Sequence, residues 1–288
     1  MMDLFFDQPP SMLRAYGKAL LGARKPLRAD TLPPLTATLR AATVDAARVA
    51  RYREVCGAAA GGPAPPAYPH VLATPLHFAI WTHPSFPLRV IGAVHLRNRV
   101  RQRRALLGGE VVDVRVRLAG CRETARGTEH DLVTEVLERD GALAWSSEST
   151  YLTVARRLPR SAPAARDEPA HQHALQVTVP AATGRRYGRV SGDLNPIHLS
   201  PLAARLFGFE RPVAHGMWTL ARVLAALEDR LPEGELAVDV AFRKPLFLPA
   251  GVVLHWSATA LETAFAVRNA GGELTHAEGV IRAGCGPG

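Results

Sequence analysis

The stretch "RVSGDLNPIHLSP", residues 189–201, places an aspartate, an asparagine, a proline and a histidine within six consecutive residues. Glycine and proline residues surround Asp193 and His198, and both residue types interrupt regular helices and strands. The stretch is therefore predicted to be a shaped loop. If the loop folds back on itself, the Asp193 carboxylate and the His198 imidazole face one small space, where both can exchange protons near neutral pH.

The segments after this loop have the pattern of helices followed by strands. "SPLAARLFG" offers Ser200 as a helix N-cap and Gly208 as a stop. "GMWTLARVLAALEDRL", from residue 216, is apolar almost all round, which is typical of a buried helix. Short alternating or apolar stretches from residue 235 onward indicate antiparallel strands. A buried helix wrapped by such a sheet predicts an α+β architecture.

The start of the buried helix is a second candidate for chemistry. "PVAHGMWTL" places His215 and Gly216 there, where the first backbone N–H groups have no partners within the helix. A carbonyl oxygen that gains negative charge would be stabilised by these donors and by the helix dipole, and a glycine lets a substrate approach closely. Together with Asp193 and His198, these are the parts for proton chemistry next to a carbonyl. The alternative is an Asp that caps a turn and a helix end that packs against its neighbour.

The first half of the chain has the pattern of a degenerate copy of the second. "VDAARVARYREVCG", residues 44–57, aligns without a gap with "VPAATGRRYGRVSG", residues 179–192. The first copy continues with Ala58 where the second has Asp193, and it lacks an equivalent of "NPIH". A period this long predicts duplication of a whole domain rather than a solenoid. We expect the first copy to have kept the fold without the site.

Residues 156–173, rich in proline, alanine and charge, are predicted to be a linker. The linker separates a degenerate N-terminal domain, 1–155, from a C-terminal domain, 174–288, that carries the site. In the first domain Pro84 and Pro87 fall in the segment that aligns with the buried helix of the second. The central helix of the first domain is therefore expected to be short.

Composition restricts the class of protein. The chain has 288 residues of which 47% are hydrophobic, which is enough for a substantial core. A net charge of +9 fits acidic partners such as cofactor phosphates, an acidic carrier protein or nucleic acid. The three cysteines form no CxxC pair and "HQH", 171–173, has no third ligand nearby, so neither disulfides nor a metal site are expected. No secretory signal or membrane span is recognisable, and a cytoplasmic location is expected.

"YGRVSGDLNPIH", 187–198, followed by "AHGM", 214–217, resembles the MaoC-like (R)-specific enoyl-CoA hydratases and 3-hydroxyacyl-thioester dehydratases of hotdog fold. The whole chain, with its degenerate first copy, resembles the double-hotdog dehydratases of bacteria that act on long-chain acyl thioesters. The resemblance implies two tandem hotdog domains, each an antiparallel sheet wrapped around a central helix. It also implies a hydro-lyase of fatty acid metabolism that reversibly converts (R)-3-hydroxyacyl thioesters to trans-2-enoyl thioesters without metal or redox cofactor, the substrate being carried by CoA or acyl carrier protein.

The resemblance also implies roles for individual residues. Carried over by motif, Asp193 and His198 are the catalytic pair, and the Gly216 N–H donates to the thioester carbonyl. Asn195 orients the loop, and His215 belongs to the substrate-binding surface beside Gly216. The expected short helix of the first domain would open an apolar tunnel for a long acyl chain.

Two cationic segments are candidates for binding the group that carries the acyl chain. Arg243 and Lys244, in "FRKPLFLP", are expected to contact the thioester handle. The arginines of "RNRVRQRR", 97–104, share one face if the segment is a strand, and would meet CoA phosphates or an acidic carrier, or else protect a sheet edge. Nucleic-acid binding is not expected, because no aromatic stacking platform accompanies the arginines.

Two other functions fit the same residues. In a thioesterase, the carboxylate would direct water at the carbonyl carbon rather than at the β-carbon. In a non-catalytic subunit, the fold would only bind an acyl thioester for a partner enzyme. The assembly is expected to be either a homodimer or a single chain whose two halves imitate a dimer.

Overall fold

The computed structural model describes residues 2–21, 33–88, 91–154 and 171–284. In the first half of these residues the elements are β1 (Met2–Phe6), α1 (Met12–Leu21), β2 (Leu35–Thr43), α2 (Ala46–Cys56), α3 (Pro69–Trp81), β3 (Val94–Gln102), β4 (Val111–Thr124), β5 (Gly127–Leu137) and β6 (Leu143–Val154). In the second half they are β7 (His173–Val179), α4 (Thr183–Ser191), α5 (Pro201–Leu206), α6 (Gly216–Ala226), β8 (Leu236–Phe242), β9 (Ala250–Ala258), β10 (Glu262–Asn269) and β11 (Thr275–Ala283). Single 3₁₀ turns lie at Pro196–His198 and Glu228–Arg230.

The described strands form one sheet of eleven strands in the order β1-β2-β4-β5-β6-β3-β8-β11-β10-β9-β7. Apart from β1, which pairs in parallel with β2, the order reads the same from both ends: a strand, a three-stranded meander and a strand at the seam. The seam joins β3 to β8 in antiparallel register, from Arg97 opposite Ala241 to Gln102 opposite Leu236. This symmetry is the one expected of a duplicated unit whose two sheets have merged.

The helices of the two copies pack together on one face of this sheet. The rings of Tyr52 in α2 and Tyr187 in α4 lie 5.9 Å apart, both buried. Arg48 donates from Nε to the Val190 carbonyl at 2.8 Å, and Trp218 donates from Nε1 to the Val55 carbonyl at 3.1 Å. The two copies therefore share a continuous apolar core instead of forming separate bodies.

The central helix of the first copy is not short, so that prediction is wrong. α3 has 13 residues against 11 in α6, and almost all of its side chains are buried. Pro69 stands in its first turn, where a missing N–H costs nothing. Pro84 and Pro87 come after the helix has ended at Trp81, so neither of them interrupts it.

The arginine-rich segment is a strand, but it does not protect an edge. β3 lies inside the sheet, paired with β6 on one side and β8 on the other. Its arginines face carboxylates: Arg97 reaches Glu129 at 2.8 Å and Arg101 reaches Asp239 at 3.0 Å. The interpretation of this segment as a protected sheet edge is therefore wrong. Carboxylates of the protein itself neutralise much of its positive charge.

The predicted linker falls mostly on residues 155–170, which lie outside the described part of the chain. Its last residue, His173, already belongs to β7, so the linker ends earlier than predicted. The domain limits otherwise stay a prediction. None of the described helices combines the length and apolar character needed to cross a membrane.

Candidate active site

The turn after α4 directs Asp193 away from the helix axis. Gly192 has a left-handed conformation (φ 80°) and closes the helix with a hydrogen bond from its N–H to the Gly188 carbonyl. The Asp193 N–H then donates to Ser191 Oγ at 3.1 Å, and Asp193 Oδ1 accepts the Asn195 N–H at 3.1 Å. The segment is the shaped loop that the sequence predicts, held by an aspartate that bonds its own backbone.

Two glycines inside α4 let this loop lie directly on the helix. A Cβ atom at Gly184 would stand 2.1 Å from the His198 carbonyl oxygen, and one at Gly188 would stand 2.9 Å from the Asp193 carbonyl oxygen. Glycine is unfavourable within a helix, so two of them four residues apart mark a face where another backbone packs. Neither glycine was predicted as part of the site, although their four-residue spacing is a signal in the sequence itself.

His198 is held by one ring nitrogen. Its Nδ1 is 2.6 Å from the Val213 carbonyl oxygen, so Nδ1 carries the proton and donates it. Burial lowers the pKa of His198, although the nearby Asp193 carboxylate acts in the opposite direction. The neutral ring then presents Nε2 as a proton acceptor.

His215 holds the loop in place from the start of α6. The residue is buried, and its ring stacks on that of His198 with centroids 3.6 Å apart. Its Nε2 lies 3.0 Å from the Asp193 carbonyl oxygen, to which it donates. Burial and the neighbouring His198 lower the pKa of His215 to about 3, so the ring is neutral. In addition to the substrate-binding position predicted for it, His215 thus has a contact that fixes the catalytic loop.

Asp193 keeps a reactive carboxylate inside the protein. Burial acts to raise its pKa, but the adjacent His215 and His198, together with hydrogen bonds from the Asn195 N–H and the Tyr16 hydroxyl, hold it below the ordinary value. Tyr16 comes from α1 and donates to Oδ1 at 3.2 Å. Since 36% of the Asp193 side chain remains accessible, the group can meet a ligand. Near neutral pH the site therefore combines a carboxylate with a neutral imidazole.

The N-terminus of α6 faces the same space. Gly216 is the first residue of the helix and lines the cavity with Asp193 and His198. A Cβ at Gly216 would lie only 3.0–3.1 Å from the Phe242 ring, so a side chain there would have to displace this ring. Asn195 also lines the cavity, and its backbone carbonyl accepts the His198 N–H at 3.0 Å. The predicted site residues of the loop and of the helix start are thus brought together.

These residues surround a cavity of about 280 Å³ that both copies line. α3 forms one wall of the cavity, with His70, Thr74, His77, Phe78 and Trp81. Burial lowers the pKa of His70 to about 4 and that of His77 also falls, so this wall is neutral and largely aromatic near pH 7. α3 is not the short helix that was expected to open an apolar tunnel, and a tunnel for a long acyl chain stays a prediction.

The cavity opens among cationic side chains. Arg243 and Lys244, both predicted, and Arg126, from the turn between β4 and β5, line it and are exposed. Arg243 also donates to Glu278 at 2.7 Å, which reduces its net charge toward a ligand. Arg126 was missed because its neighbours in sequence carry no motif.

Comparison with known proteins decides the family. A model of the MaoC-like domain matches residues 161–271. The 3-hydroxyacyl-thioester dehydratase X of Mycobacterium tuberculosis is 38% identical over 254 residues, which cover 85% of this chain and 89% of that protein. The chain is a MaoC-like dehydratase. The predicted family is confirmed.

The structural matches of this MaoC-like dehydratase agree. The crystal structure of HtdX of M. tuberculosis has a TM-score of 0.76 at 35% identity, covering 86% of this chain and 99% of that one. Another M. tuberculosis structure, with a double hotdog fold, has a TM-score of 0.54 at 13% identity over 85% of this chain and 94% of that one. The α+β double hotdog is confirmed. An (R)-specific enoyl-CoA hydratase of Aeromonas caviae is 34% identical over 84 residues, 28% of this chain and 63% of that protein.

The donor set of this MaoC-like site would also suit a cation. Asp193, His198 and His215 offer ligand atoms that all lie within 4.8 Å of one another. One nitrogen of each ring is engaged by a backbone carbonyl, that of Val213 or that of Asp193. The expectation of a site without metal stays a prediction.

Proposed function

We propose that the protein reversibly dehydrates (R)-3-hydroxyacyl thioesters to trans-2-enoyl thioesters, with Asp193 and His198 transferring the proton. The observation that carries the proposal is the common cavity in which the Asp193 carboxylate and the His198 ring meet the N-terminus of α6. A base beside an oxyanion donor is what removal of a proton next to a thioester carbonyl needs.

In the proposed reaction the thioester carbonyl lies at the Gly216 N–H. Removal of the α-proton moves negative charge onto the carbonyl oxygen, where the helix N-terminus stabilises it. The C–O bond at the β-carbon then breaks, and the hydroxyl leaves as water. Because Asp193 is ionised and His198 is neutral with its only proton held by Val213, the pair has no spare proton near neutral pH. The proton given to the leaving hydroxyl is therefore the one taken from the α-carbon, and hydration reverses these steps.

The substrate is held by two further parts of the cavity. The acyl chain lies against the α3 wall, where Phe78 and Trp81 supply apolar surface. The phosphates of CoA, or the phosphopantetheine and acidic surface of a carrier protein, meet Arg126, Arg243 and Lys244. The chain works as a single unit whose halves imitate a dimer, since the β3–β8 seam already joins both copies in one sheet. We propose that no metal or redox cofactor takes part.

The proposal is tested by adding crotonyl-CoA and then a longer trans-2-enoyl-CoA and following the ultraviolet absorbance of the enoyl thioester. The wild type should remove this absorbance, and Asp193→Asn and His198→Gln should each lower the rate by about 10²–10⁴. A chelator should leave the wild-type rate unchanged. Parallel circular dichroism shows whether the variants are folded.

Three outcomes would contradict the proposal. Release of free thiol without prior hydration would identify a thioesterase. Tight binding of the acyl-CoA without any change in absorbance would indicate a binding subunit. A rate that a chelator abolishes and added divalent metal restores would show that Asp193, His198 and His215 hold a cation.

A further inference from the structure

A helix of the degenerate copy reaches the catalytic carboxylate. Tyr16, in α1, is only 9% exposed, and its ring centroid lies 4.5 Å from that of Phe78 in α3. Its hydroxyl donates to Asp193 Oδ1 at 3.2 Å, a contact between residues 177 positions apart.

The contact has a definite direction. Burial and the negative charge of Asp193 raise the pKa of Tyr16 far above its ordinary value, so the hydroxyl stays protonated and must donate. The Asn195 N–H donates to the same Oδ1 at 3.1 Å. Within the described part of the chain both donors are on Oδ1, so Asp193 Oδ2 is the oxygen left to exchange a proton with substrate.

We propose that Tyr16 is a positioning residue of this active site. It holds the Asp193 carboxylate ionised and turned so that Oδ2 faces the cavity, and this inference rests on the proposed function. Among the described residues that line the cavity Tyr16 is absent, so it acts through Asp193 and not on the substrate. The degenerate copy thereby contributes to the chemistry of the other copy, beyond providing a wall.

The test compares two substitutions that each remove one buried hydroxyl. Tyr16→Phe removes the donor to Asp193, whereas Tyr68→Phe removes a buried hydroxyl that has no hydrogen-bond partner within the described residues. For hydration of a trans-2-enoyl-CoA, Tyr16→Phe should lower kcat about tenfold with little change in KM, since a hydrogen bond to a charged group is lost. The acid limb of its pH profile should move to higher pH, because the pKa of Asp193 rises without this donor. Tyr68→Phe should change neither.

A second readout does not depend on activity. Carbon-13 labelling of the aspartate carboxyl groups, with the Asp193 signal assigned by its loss in Asp193→Asn, gives the pKa of Asp193 by NMR titration. This pKa should be higher in Tyr16→Phe than in the wild type and in Tyr68→Phe. An equal pKa in all three, or an equal fall of kcat in both tyrosine variants, would overturn the inference. If the wild type hydrates nothing, the proposed function fails, while the titration still decides whether Tyr16 acts on Asp193.

Discussion

The two copies begin different loops from the same turn. Gly57 caps the end of α2 with φ 73°, and Gly192 caps the end of α4 with φ 80°. The next residue is Ala58 in the first copy and Asp193 in the second. The turn alone therefore does not make a site, and the difference must come from what surrounds it.

The helix interiors explain that difference. The gapless alignment places Val49 and Arg53 of α2 where α4 has Gly184 and Gly188. The Arg53 guanidinium donates to the carbonyls of Ala59 at 2.6 Å and of Pro63 at 3.0 Å, and so holds the first-copy loop on another path. In α4 the glycines leave that surface bare, and the catalytic loop lies on it. The catalytic loop thus requires glycine at the positions of the helix that face it.

The strongest test of this comparison places alanine at the equivalent position of both helices. Gly184→Ala places a Cβ against the His198 carbonyl, and activity should fall about 100-fold or more because His198 is displaced. The equivalent change, Val49→Ala, removes buried methyl groups and should cost about 2 kcal/mol of stability with little effect on kcat. Initial rates and thermal unfolding measure both. A fully active Gly184→Ala variant would refute the requirement for glycine.

The next largest effect concerns stability in acid, because the first copy also carries buried histidines without a role in proton transfer. Burial lowers the pKa of His130 to about 4, below the ordinary 6.5. The unfolded chain therefore binds a proton that the folded chain refuses, and stability is lost as the pH falls from 6.5 towards 4. His130 alone should cost about 2 kcal/mol between pH 7 and pH 5.

His130→Gln tests whether His130 causes this loss of stability in acid. Trp81 donates to His130 Nε2 at 3.0 Å, and the glutamine carbonyl can accept the same hydrogen bond. The variant should be less stable at pH 7 through lost packing, but it should lose about 2 kcal/mol less than the wild type between pH 7 and pH 5. Urea unfolding at both pH values measures this. Parallel curves for the two proteins would argue against a neutral buried His130.

The smallest expected effect distinguishes a cationic side chain of the second copy from one of the first. Lys244→Ala, at the cavity opening of the second copy, should raise KM for an acyl-CoA severalfold and leave kcat unchanged. Arg99→Ala, on β3 of the first copy, should change neither, since Arg99 is exposed and 4.0 Å from Glu148. Steady-state kinetics at two salt concentrations decides, and an equal rise of KM in both variants would contradict the assignment of the opening.

Local features of the fold and site could be predicted from the sequence. The loop around Asp193 and the start of α6 at Gly216 follow from glycine, proline and apolar pattern within about a dozen residues. The duplication follows from one gapless alignment. The family resemblance, confirmed above, supplied the hotdog fold, and the catalytic roles that it implies stay a prediction.

Features that depend on distant partners could not be predicted in the same way. Tyr16 has no local motif, and its partner Asp193 lies 177 positions away. The interior position of β3 depends on pairing with β8, which no pattern in β3 indicates. The length of α3 was misjudged because Pro84 and Pro87 were assigned to the helix, whereas Pro69 begins it. In each case the deciding neighbour is remote in sequence or lies across an element boundary.

The long separation between Tyr16 and Asp193 also bears on how the protein refolds. Hairpins such as β4–β5 and β10–β11 close over short distances along the chain, whereas the β3–β8 seam closes over about half of it and the Tyr16 contact over 177 positions. Closing long loops costs entropy, and contacts of this kind slow folding. Secondary structure should therefore return before enzymatic activity during refolding, which makes activity a late signal that the first helix and the second copy have been brought together.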